Sequence, residues 1–192
     1  PYLLGWKPCV GDYGLLAPLY AHLGRDPYPA SLMQQRAPRV YRWVERMNRP
    51  DQDAPEFFTP GTDFLNNDEI PETLMAVLRA VAEDFVPETR AAASVINDWL
   101  GRQQPEAGAA AVGRLGNLLG RAEFSVRGQT ITALASPYRF YLLQRVQAIY
   151  AGLPLDEQVS VEHMLQACGM HEMLSIKLDR VMGRADNLEV WQ

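Results

Sequence analysis

The chain is short of the residues and runs that mark several large protein classes. Only two cysteines, Cys9 and Cys168, occur in 192 residues, too few for a disulfide framework, and this predicts a reducing, cytoplasmic setting. No apolar run approaches the roughly 20 residues that a membrane-spanning helix needs, and no signal-peptide pattern is present. Histidine is scarce, with three in all. No G-x-S-x-G, H-E-x-x-H or paired-carboxylate motif occurs. The glycines Gly108, Gly113, Gly116 and Gly120 lack the G-x-x-x-x-G-K frame and a preceding strand, so they read as a linker rather than a phosphate cradle. A β-α-β pattern is missing too. What remains is helical: 47% hydrophobic residues suffice for a sizeable core, and the apolar positions recur mostly at helical spacing.

The first 47 residues carry the most information. Cys9-Val-Gly-Asp12 opens a helix, with Asp12 three residues after the cap, where its carboxylate can reach back to the cap N–H. A thiol is a weak acceptor, so Asp12 supplies most of this capping box. Leu15, Leu16, Leu19, Tyr20 and Leu23 form one stripe, kinked where Pro18 removes a donor. Gly24 ends that helix and Pro27 and Pro29 make a turn. Val40, Trp43, Val44 and Met47 then line a second helix, with Arg39, Arg42 and Arg46 on its other face.

The order YLLG, CVGD, kinked apolar helix, RDP and APxVxxWVxRM resembles the second half of the glutathione transferase C-terminal domain. The likeness covers Tyr2 to Met47. That family usually has Ser or Thr where this chain has Cys9, and Asp12 matches its capping-box acid, a residue tied to folding rather than catalysis. The later segments Ile96–Leu100, Ser136–Val146 and Arg184–Asn187 resemble the long C-terminal extension of some bacterial transferase-like proteins. The resemblance implies a mainly all-α fold of the transferase C-terminal type, glutathione as co-substrate, and a small hydrophobic electrophile. It also implies a thioredoxin-like N-terminal domain as partner and a possible homodimer through helices preceding Pro1. The chain has no initiator Met and reads as a piece of a larger protein, without catalytic residues of its own. The alternative is a non-catalytic interaction scaffold with the same helical fold; neither nucleic acid nor membrane is an expected partner.

Charge is unevenly spread. Residues 1–50 hold seven Lys and Arg against three acids, whereas residues 51–72 hold seven acids and no base. This predicts an acidic loop at 49–69 lying near the face of Arg36, Arg39, Arg42 and Arg46, with an anion site on that face as the sharper alternative. Phe57, Phe58 and Phe64 are expected to anchor the loop.

Beyond it the chain reads as a helical extension, 70–192, within one domain spanning 1–192. Pro71 starts a helix with Leu74, Leu78, Val81 and Phe85 on one face. Pro87 restarts the chain into a second stripe of Ala92, Val95, Ile96, Trp99 and Leu100, giving a hairpin or one kinked rod. Alternation near 122–134 around Gly128-Gln129 predicts one small β-hairpin. Ser136-Pro137 begins a helix burying Leu142, Leu143, Val146, Ile149 and Tyr150. Ser160 begins another, burying Val161, Met164, Leu165 and Cys168 and stopping at Gly169. Leu174 to Met182 reads as a further helix, with an extended tail as the alternative.

Two clusters bear on chemistry. His163, Cys168, His171 and Glu172 could suggest a metal, but His163 and Cys168 sit five apart, about 140° around a helix, and no tight four-ligand spacing exists. Cys9 at a helix start is a candidate reactive thiol, opposed by the nearby Asp12. The tyrosines Tyr13, Tyr20, Tyr41, Tyr138, Tyr141 and Tyr150 could line an apolar pocket or simply pack in the core. His22 has no evident partner.

Overall fold

The computed structural model describes residues 2–49, 61–111 and 119–192. It is mainly helical, with two small antiparallel hairpins, and divides into two compact units, Pro1–Leu74 and Met75–Gln192.

In the first unit, α1 (Val10–Pro18) runs into a single π-helical stretch, Leu19–Leu23, so the expected kink falls at Pro18. The missing donor at Pro18 lets the ladder slip by one residue, which is how a π turn arises. Gly24 ends it, its N–H bonded to the Leu19 carbonyl at 2.8 Å. Where a proline turn was expected there is instead α2 (Pro27–Arg36). Pro27 and Pro29 both fall in its first turn, where backbone donors have no helical acceptor and proline costs nothing. Pro38 then forces Ala37 out of the helical region, to φ −138°, and restarts the chain as α3 (Pro38–Met47). The Arg-faced helix buries Val44 fully and Trp43 and Met47 partly, but Val40 stays 40% exposed. Met33 of α2 supplies a buried side chain that the stripe did not anticipate.

The second unit is built on α4 (Glu72–Gln103), one helix of 32 residues with Pro87 inside it. The rod alternative therefore holds. Its buried line runs Met75, Ala82, Val86, Thr89, Ala93, Ile96 and Leu100, a near-heptad spacing that passes through Pro87 without a break in phase. Leu74, Leu78, Val81 and Phe85 were expected inside. Val81 and Phe85 instead face outward, at 42% and 37% exposure, because the line that continues into Ile96 and Leu100 lies one residue further round. Against this line pack Ala111, Ala122, Ala135, Phe140, Met173, Ile176, Met182 and Trp191.

The expected hairpin is β1 (Arg121–Val126) with β2 (Gln129–Leu134), but its turn is Arg127-Gly128, one residue earlier. Both turn residues have positive φ, 50° and 79°, the two-residue geometry that matches strand twist. Helices α5 (Tyr138–Ala151) and α6 (Leu155–Ala167) follow. The latter starts five residues before Ser160, helped by Asp156 and Glu157 in its first turn. On α5 the expected core face holds only in part: Leu143 packs on the central cluster and Tyr150 is half-buried. Phe140 is buried, while Leu142, Val146 and Ile149 are 42%, 60% and 69% exposed.

After a 3₁₀ turn, His171–Leu174, the segment expected to be helical is an irregular strap leading to β3 (Met182–Ala185). Leu174, Ile176 and Leu178 point inward at alternate positions, a period of two that suits extended backbone. A second hairpin, β3 with β4 (Leu188–Trp191), turns through Asp186 and Asn187 at φ 48° and 63°. Ala109 and Ala111 bond to Trp191 and Glu189, an isolated bridge beside β4.

Candidate functional site

Sequence and geometry point together to one specific arrangement at the entry to α1. Cys9 is the N-cap, with extended backbone (φ −108°, ψ 175°), and Asp12 is the third helical residue. The Asp12 carboxylate is fully buried and uses both oxygens. Oδ2 accepts the Cys9 N–H at 2.9 Å and Oδ1 accepts the Leu3 N–H at 3.0 Å. In the reciprocal arm of the box the Cys9 side chain faces the Asp12 N–H, which also donates to the Cys9 carbonyl at 3.0 Å. One carboxylate thus ties the helix start to the preceding residues and satisfies two backbone donors.

Those residues are themselves fastened. Leu65 N–H donates to the Leu4 carbonyl and Trp6 N–H to the Asp63 carbonyl, each at 2.9 Å. Gly5, at φ 123°, is needed at the crossing: a Cβ there would stand 2.9 Å from the Asp63 oxygen and from the Leu65 nitrogen. This gives the glycine of YLLG a physical role. Lys7 pairs with Asp63 at 2.9 Å and, helped by the Phe64 N–H, holds that carboxyl below its usual range. In its described part the acidic loop is bonded to Lys7. Asp51, Asp53, Glu56, Phe57 and Phe58 lie outside the described residues. Phe64, expected as an anchor, is 45% exposed beneath the Lys7 ammonium.

On α3, Arg36 (just before it), Arg39 and Arg42 are exposed, and the Arg46 guanidinium lies 6.0 Å from the Tyr2 ring. Cys9 is half-buried and Cys168 buried, both as free thiols. The Cys168 thiol donates to the Leu165 carbonyl at 3.5 Å, consistent with a small core residue. His163 and His171 are exposed, as is His22. Both Glu172 oxygens are taken by Arg90, as a bidentate pair that pushes the Glu172 carboxyl down and the Arg90 guanidinium up. Among the described residues, no group of three or more His, Cys, Asp and Glu is arranged to hold a metal ion, and no helix is long and apolar enough to cross a membrane.

The Arg90–Glu172 pair gives a pH prediction. The folded Glu172 is held below its ordinary value, so its contribution is present above the unfolded pKa and is lost as pH falls through the folded one. The pair is partly exposed, so about half a kcal/mol is at stake. Urea unfolding at neutral and at acid pH should show a smaller acid-dependent loss in Glu172→Gln than in the natural chain; equal losses would remove this pair from the account.

The six tyrosines do not share one setting. In the first unit Tyr13 is 57% exposed, Tyr20 lies under Arg25 at 4.3 Å, and Tyr41 is half-buried. In the second, Tyr138 and Tyr141 stack at 6.2 Å, and the Tyr150 hydroxyl donates to Glu162, which raises its pKa. Sequence reasoning missed the amide-bearing residues Gln144, Gln147 and Asn97, which fasten the strap to the helices. Isolated polar residues on a helix face carry no motif that would single them out. Compared with family models, with curated proteins and with solved structures, the chain finds no match in any of the three.

Proposed function

We propose that the chain is the helical C-terminal part of a glutathione transferase-like protein, and that it helps to form a hydrophobic substrate site beside a thioredoxin-like domain. The observation that carries this reading is the buried Asp12 at the third position of a kinked apolar helix, accepting the Leu3 and Cys9 N–H groups. That arrangement is what the CVGD resemblance implies, and it supports a folding role for the acid. The bundle would be of the transferase type in its first unit, with the second unit as the extension. Glutathione would be bound by the thioredoxin-like domain, and a small electrophile would sit against the helices.

Two measurements test the reading. The coding region upstream of Pro1 is expected to show a β-α-β-α-β-β-α pattern; its absence there would sink the proposal. On glutathione resin, the longer protein should be retained and this chain alone should pass through. Tight retention of this chain alone would contradict the division of labour.

A second reading, a protein-docking module, has one observation in its favour. Leu142, Val146 and Ile149 make an outward apolar stripe along α5, of the kind that partner helices cover. An upstream region without the thioredoxin pattern would favour it.

A further inference from the structure

The strap between the 3₁₀ turn and β3 is held over α5 by side chains rather than by regular secondary structure. Gln147 Nε2 donates to the Met173 and Ile176 carbonyls, each at 2.8 Å. Gln144 donates to the Met182 carbonyl and accepts the Met182 N–H at 3.1 Å. Asn97 receives the Asp179 N–H at 3.0 Å and donates to the Lys177 carbonyl at 3.3 Å. The strap is thus pinned along its length, and a cavity of about 170 Å³ remains between it and α5. Phe140, Leu143, Ile176, Leu178 and Val181 supply its apolar lining. Both polar groups of Gln144 and the NH₂ of Gln147 are taken by the strap backbone.

Its charged lining is one-sided. Lys177 and Arg180 contribute and no acid does, in a chain whose net charge is −5. The Arg180 guanidinium is held at the rim by the Pro105 carbonyl and by a backbone oxygen of Gln192. A space of about 150 Å³ suffices for a benzene ring, and a cationic rim on an apolar well suits an anion whose charge sits at one end.

We propose that this cavity binds a small monocarboxylate with a compact apolar tail, the tail between Phe140, Leu143 and Leu178 and the carboxylate toward Lys177 and Arg180. The site lies wholly within the second unit and does not depend on the transferase reading. Benzoate titrated into the full chain should move the backbone amide signals of Leu143, Gln147 and Leu178 saturably. Benzyl alcohol, the neutral counterpart, should bind about tenfold more weakly, as should benzoate to Lys177→Met, because a charge-assisted hydrogen bond is lost. Val181→Trp places a bulky ring at an exposed rim position and should abolish the shifts while leaving the rest of the spectrum unchanged. The proposal is overturned if the shifts do not saturate, if Val181→Trp retains them, or if inorganic phosphate competes as well as benzoate, since the tail would then contribute nothing.

Discussion

Replacing Asp12 by Ala should unfold the first unit at much lower denaturant. Two backbone donors, Leu3 N–H and Cys9 N–H, lose their acceptors together. A buried donor without a partner costs roughly 1–3 kcal/mol, so the expected loss is about 3 kcal/mol. Asp12→Asn should rescue little. The two donors use different oxygens, and an amide offers only one oxygen; its NH₂ would face an N–H across the other contact. Helical circular dichroism through a urea titration reads both variants. An Asn variant as stable as the natural chain would mean that one of the two bonds is dispensable. The substitution Cys9→Ser runs the other way: a hydroxyl accepts better than a thiol, and a gain of up to about 1 kcal/mol is expected.

Trp191→Ala should be the most damaging change in the second unit. Its side chain is fully buried, lies in the central cluster and stacks on Trp99 with ring centroids 6.0 Å apart. Truncating such a side chain to Ala costs about 4 kcal/mol. Trp191→Phe should cost far less, within about 1 kcal/mol, because it also deletes the indole N–H, which finds no acceptor among the described residues. The difference between the two variants is the informative quantity. Were Phe as harmful as Ala, the indole nitrogen would have to be bonded in solution.

These two residues also mark what could and could not be read from the sequence. Asp12 was legible because a cap and an acid three positions later form a local pattern, confined to one turn of chain. Pro18, Gly24 and the strands around Arg127 were legible for the same reason. Trp191 was not, although Asp186-Asn187 is a fair signal for a tight turn with positive φ; Gly183 and Arg184 blur the alternation that would have marked β3. The outward turn of Leu142, Val146 and Ile149 shows the limit of periodicity. A stripe identifies a face, but the neighbours decide whether anything covers it, and α5 is apolar on more than one side. Likewise Pro27 and Pro29 carry two meanings, turn or helix start, and only their position relative to Asp26 separates them. The cavity was beyond reach altogether, since it is made by residues up to 41 positions apart, joined through neutral amides that no motif describes.

Those amides have a consequence for how the C-terminal segment behaves in different media. Coulombic links such as Arg90–Glu172 weaken in brine as counterions crowd round them. Fastenings made of carboxamide and peptide groups carry no net charge and feel little of that crowding. High ionic strength should therefore loosen the acid–base clasp at the start of the strap while its remainder stays laced to the helices.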